Sequence, residues 1–234
     1  MLAVAQGRLS SFRRAPLVAV LLVGMALTGF CIAQAAAALL EARAAGALNA
    51  LRAAPPGKSP DAVAAIRAEL ERADAWWRDP ANSFKIATLY MRFTLPGEEA
   101  DADQELAAAA RRELERSLAE APGNAEAWIW LANARLVEQG PTRPAIDAFS
   151  MSIALAPYDP ALLVWRCQTG LELYPALNDV ERDSLGEQIR MLENVSADDL
   201  VKVAFASKRM DVVVAALGDD PAALVHFAAR IKAR

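Results

Sequence analysis

The chain has 234 residues, 55% of them hydrophobic but only 6% aromatic, with a formal net charge of −4. Much of the apolar share is alanine, which favours helix and leaves a sheet-dominated fold short of β-branched and aromatic residues. Residues 1–40 hold three basic residues (Arg8, Arg13, Arg14) and no acidic one. The other Lys and Arg, set against all 29 Asp and Glu, leave the rest of the chain at −7, which disfavours nucleic acid as a partner.

From Ala15 to Leu40 there is no charge, and about 20 such residues suffice to cross a bilayer as a helix. The arginines before it predict residues 1–14 in the cytoplasm, residues 15–40 as a transmembrane anchor, and an exported remainder. The expected location is therefore a bacterial inner membrane, with the helical domain in the periplasm. A cleavable signal ending at Ala33-Gln34-Ala35 is the alternative, but its apolar core is longer than such signals carry. Phe30 before Cys31 does not fit a lipoprotein signal.

Residues 41–58 read as a stalk and linker, because Pro55-Pro56-Gly57 ends the helix that follows the anchor. The domain proper, 59–234, opens with Ser59 as cap and Pro60 at the first helical position. Val63, Ile66, Leu70, Ala73 and Trp77 then recur at helical spacing. A short helix is predicted over 84–93, and the acidic run GEEADADQE after Pro96 is predicted to be a solvated loop rich in helix-starting acids. It lacks the spacing of a calcium loop.

From Asp103 to Pro160 the reading is helix, Pro-turn, helix, turn, helix, Pro-turn, with Pro122 and Pro157 closing similar helices 35 residues apart. Trp128, Leu131 and Ala132 stand at large, large and small positions of one helix. Ala145, Phe149, Ser152 and Pro157 stand at small, aromatic, small and proline positions of the next, and Ala110, Leu114, Ser117 and Pro122 repeat that second pattern upstream. This segment resembles the tetratricopeptide-repeat family, with a one-residue insertion near Gly140 and with Arg135 where the family has tyrosine. The resemblance implies an all-α solenoid of antiparallel helix pairs behind the transmembrane helix, whose first helices line a concave groove. On the Trp128 register that groove is lined by Ile129, Asn133 and Leu136. Asn133 matches an asparagine of the members that clamp peptide carboxylates, but Ile129 replaces the basic residue such clamps need.

Beyond Pro160 the match fades. Leu163 falls on the tryptophan position, which puts Arg166 where leucine belongs. Asn178 or Asp179 is predicted to cap one helix and Ser196 another, and VVVAAL and ALVHFAARIK follow as end units that seal the stack.

Little chemistry is legible. The single histidine, His226, has no companion ligand, so no metal or other cofactor is expected. Cys31 and Cys167 belong to segments that cannot pair, and Cys167 reads as a small buried residue. No nucleophile elbow, phosphate loop or zinc-protease motif occurs, so no enzymatic activity is expected. Trp76-Trp77 and Trp128-x-Trp130 are either core residues with an edge-covering neighbour or ligand platforms. The expected function is a membrane-tethered scaffold recruiting proteins to a cell-envelope complex: translocon, cytochrome maturation, pilus or surface-polysaccharide machinery. The alternatives are a cleaved periplasmic binder of peptide or glycan and an accessory subunit of an envelope enzyme.

Overall fold

The computed structural model describes residues 3–53, 60–76, 79–93 and 100–232. All regular structure among them is helical: α1 (Ala3–Ala53), α2 (Pro60–Trp76), α3 (Pro80–Phe93), α4 (Ala100–Glu120), α5 (Ala125–Gln139), α6 (Arg143–Leu155), α7 (Leu163–Leu173), α8 (Asp179–Ser207), α9 (Met210–Ala216) and α10 (Pro221–Lys232). They form two compact units, residues 1–82 and 83–234, divided within α3.

In the first unit α1 runs unbroken from the apolar stretch into the expected stalk, as far as Ala53. Its stretch Val18–Ala47, with mean hydropathy 2.1, is long and apolar enough to cross a membrane. Such a helix supports a single-pass membrane anchor. From Val18 to Ile32 every side chain is exposed. Beyond that, α2 packs on α1 and covers Ala37 and Ala44, seven residues apart and so on one stripe. Ile66, Leu70 and Ala73 of α2 are buried, at the helical spacing the sequence carries. The expected stalk is thus half of a helix pair. Trp77 lies outside the described residues.

α3 starts at Pro80, four residues before the expected Phe84, because the Asp79 carboxylate accepts the Ala81 N–H at 2.8 Å and caps it. The acidic run is corrected as well. From Ala100 onward it forms the first turns of α4, where Asp and Glu favour the helix N-terminus, and Asp103 is buried; residues 94–99 lie outside the described set.

In the second unit α4 packs on α5, α5 on α6, and α7 on α8, with α5 also touching α7. Several of these boundaries have a local reason. The Asn124 side chain accepts the N–H groups of Glu126 and Ala127, and Gly140, at φ 78°, ends α5 in a conformation that favours glycine. Asn178 and Glu181 form a reciprocal capping box at the start of α8. Ser196 leaves helical geometry (φ −156°, ψ 85°), so α8 is two helices meeting at the expected cap, where its hydroxyl donates to Asp199.

The pairs come close because small residues face one another. Ala132, Ala145, Ala148 and Cys167 are buried at contact positions, and Cys167 has its thiol pushed far up by burial. Gly170 is needed at its place: a Cβ there would sit 2.6 Å from Leu185 Cδ1 and 3.0 Å from Phe149 Cζ. Phe149 itself is fully buried.

Candidate functional site

Helix α5 is covered on two sides. Ala125, Ile129 and Ala132 form one buried stripe, and Ala127, Leu131 and Ala134 form another. With 100° between residues, two sides stay open between them: Glu126, Trp130, Asn133 and Val137 on one, and Trp128, Arg135 and Gln139 on the other. Ile129 is 1% exposed and belongs to the core, so it does not line a groove; Asn133 and Leu136 are half-buried. The expected stripe is rotated by roughly 60° from the Trp130 side, because α5 packs against α4, α6 and α7 together.

On α7 the open residues are Val164, Trp165, Gln168 and Glu172, beside the buried Leu163, Arg166, Cys167 and Thr169. Trp165 is 38% exposed, and its ring meets that of Trp130 with centroids 4.6 Å apart at a tilt of 47°. On the same helix faces as the pair, Asn133 and Gln168 come one turn on and Val137 and Glu172 two turns on. Glu172 is reached by solvent, yet desolvation by the surrounding protein pushes its carboxyl up from the ordinary value.

Trp165 was missed in the sequence, although a signal was there. The 35-residue offset that relates Pro122 to Pro157 also relates Trp130 to Trp165, Asn133 to Gln168 and Val137 to Glu172. The open face is therefore built from equivalent positions of two successive helix pairs. Trp128, by contrast, is tied down: its Nε1–H donates to the Pro122 carbonyl at 2.8 Å and closes the turn before α5.

The backing of this face explains both departures from the repeat pattern. Arg135 donates to Glu115 of α4 at 3.1 Å and to the Pro144 carbonyl of α6 at 2.8 Å, joining three helices where a tyrosine was expected. Arg166 is fully buried. Its guanidinium donates to the Ser152 hydroxyl (3.1 Å), the Ser152 carbonyl (2.6 Å), the Ala156 carbonyl (2.8 Å) and Gln188 Oε1 (3.2 Å). Gln188 in turn donates to the Pro157 carbonyl at 3.1 Å. These carbonyls end α6, where unpaired acceptors and the helix dipole favour a cation. Burial pulls the Arg166 pKa down, Asp159 opposes that, and a guanidinium stays charged regardless. The network holds α7, and with it Trp165, against α6 and α8.

His226 on α10 meets the buried Glu193 of α8 at 2.6 Å. No group of three or more His, Cys, Asp or Glu able to hold a metal ion occurs among the described residues. Of the first tryptophan pair, Trp76 is exposed at the end of α2. No protein-family model matches the chain, and neither a curated protein nor a solved structure matches it.

Proposed function

We propose that the chain is a membrane-tethered, tetratricopeptide-like scaffold that binds a partner protein of a bacterial cell-envelope complex on the α5/α7 face, without catalysing a reaction itself. The observation that carries this reading is the Trp130–Trp165 pair, half-open on one face and supplied by equivalent positions of two helix pairs. Tryptophan is enriched where interface energy concentrates, since it brings large contact area at small entropic cost. The amides of Asn133 and Gln168 beside it suit the backbone of an extended peptide segment. Anchoring through α1 raises the effective concentration for partners in the same membrane, so a modest affinity suffices.

Photo-crosslinking in cells tests the face. A crosslinker at Val137 or Gln168 is expected to trap a membrane-complex protein, and Trp130→Ala or Trp165→Ala to abolish the product while helix content is kept. A crosslinker at Asp147, exposed on α6, serves as control. Products at Asp147 that survive both tryptophan changes would move the site to another face.

Orientation belongs to the same proposal. With Arg8, Arg13 and Arg14 retained inside, alkaline phosphatase fused after Arg52 is expected to be active. An inactive fusion beside an active cytoplasmic reporter at the same position reverses the topology.

A further inference from the structure

The level at which α2 meets α1 sets how deep the anchor sits. α2 carries Arg67, Glu69, Glu71, Arg72 and Asp74, with Arg67–Glu71 and Arg72–Glu69 paired on its surface, and such a helix stays out of hydrocarbon. The hydrocarbon must therefore end below the part of α1 that α2 covers. Counted from Ala15, about 20 residues at the helical rise reach Gln34, the first polar side chain after Thr28. The headgroup layer adds about 5–8 Å, or roughly three to five helical residues, to about residue 39.

Hydrogen bonds place α2 on that scale. The Asn82 side-chain amide donates to Asp74 at 2.9 Å and to Glu41 at 3.2 Å, which brings Asp74 alongside Glu41 to within about a helical turn. Glu41 lies twelve residues before the end of α1 and Asp74 fourteen after the start of α2, so the two helices are antiparallel. Two residues beyond Asp74 is then level with two residues before Glu41. Trp76 stands beside the level of Leu39, and both are more than half exposed, at 54% and 57%. Immediately above them come Glu41, Asp74, Asn82 and Arg72.

We infer that Trp76 is an interfacial anchor that seats the α1–α2 helix pair on the lipid headgroup layer of the membrane α1 crosses. An indole with an apolar body and one N–H prefers that layer over both water and hydrocarbon. Leu39 is about 140–160° round α1 from Ala37 and Ala44 and so faces away from α2. It and Trp76 flank the pair at one level, where the exposed apolar side chains of the span, Val18–Ile32, give way to the polar belt above. A bilayer surface, which meets both sides of the pair at one level, is the occupant that fits this arrangement. The contact fixes the height and limits the tilt of the pair above the bilayer.

The inference rests on α1 spanning a bilayer, and the test separates the two. The full chain is placed in phosphatidylcholine vesicles with Trp76 as its sole tryptophan, the other four replaced by phenylalanine, and with helix content checked by circular dichroism. Lipid spin-labelled at the headgroup is expected to quench Trp76 strongly, lipid labelled deep in the acyl chain weakly, and aqueous iodide weakly. A second chain with Phe30→Trp as sole tryptophan reports the span and is expected to be quenched by the deep label. If the Phe30→Trp reporter answers to the deep label while Trp76 answers only to iodide, the anchor is overturned and the span stands. If neither answers to lipid, the span itself fails. Shielding of Trp76 that follows protein density rather than the lipid label would assign the contact to a second copy and also overturn the anchor. Should the four phenylalanines impair folding, Trp76→Cys carrying a small environment-sensitive dye, with Cys31→Ala and Cys167→Ala, gives the same depth comparison with the other four tryptophans in place.

Discussion

Phe149→Ala is expected to destabilise the second unit by about 3–5 kcal/mol, the cost of removing a fully buried phenyl ring from a core that closes only partly behind it. The ring is wholly inaccessible and lies where α6 meets α7 and α8, within contact distance of the place a Cβ would take on Gly170. Leu185 of α8 closes on the same spot. Since a domain's whole stability is on the order of 5–15 kcal/mol, the loss should move the thermal midpoint far down. Circular dichroism of the full chain in detergent micelles measures it, because α1 stays helical there while the second unit melts. A melting curve unchanged by Phe149→Ala would mean that the helix pairs are not packed through this ring.

Arg166→Ala is expected to cost about 3 kcal/mol, through a different mechanism. The substitution leaves the Ser152 carbonyl, the Ala156 carbonyl and Gln188 Oε1 without their donor. Each buried group so orphaned costs about 1–3 kcal/mol, offset in part by relief of the desolvated charge and by water entering the vacated space. Arg166→Met separates the terms, since it fills the volume and removes both charge and donors. It is expected to remain about 2 kcal/mol below the native protein. Arg166→Lys should also fall short, as a point ammonium cannot serve acceptors spread over α6 and α8 at once. A methionine variant as stable as the native chain would show that these acceptors find other partners and that the fork contributes nothing net. Because Trp165 adjoins Arg166, weakening of the near-ultraviolet circular dichroism of the Trp130–Trp165 pair is expected alongside the lower midpoint.

The local rules of the chain placed most of its helices, though not the start of α3 or the first turns of α4. The turns at Pro122 and Pro157, the Asn124 and Asn178 caps, the Ser196 break and the apolar run before Gln34 all act through the nearest few residues, and the structure follows them. Local rules also account for Ala132, Phe149 and Cys167 lying in the core, since small and aromatic positions recurred at the spacing of packed helices. What they did not determine is the rotation of each helix about its axis. A helix touching three neighbours buries more than one stripe, so whether Ile129 or Trp130 faces outward depends on where α4, α6 and α7 approach α5. The charge at Arg166 contradicts its leucine position until the carbonyl end of α6, ten to fourteen residues earlier, is folded against it. The pairing of α2 with α1 was likewise hidden, because the alanine stripe Ala37–Ala44 continues the composition of the membrane span. Hydrogen-bond geometry and apolar periodicity are written along the chain; the choice of which faces meet is made only when distant helices compete to cover the same surface.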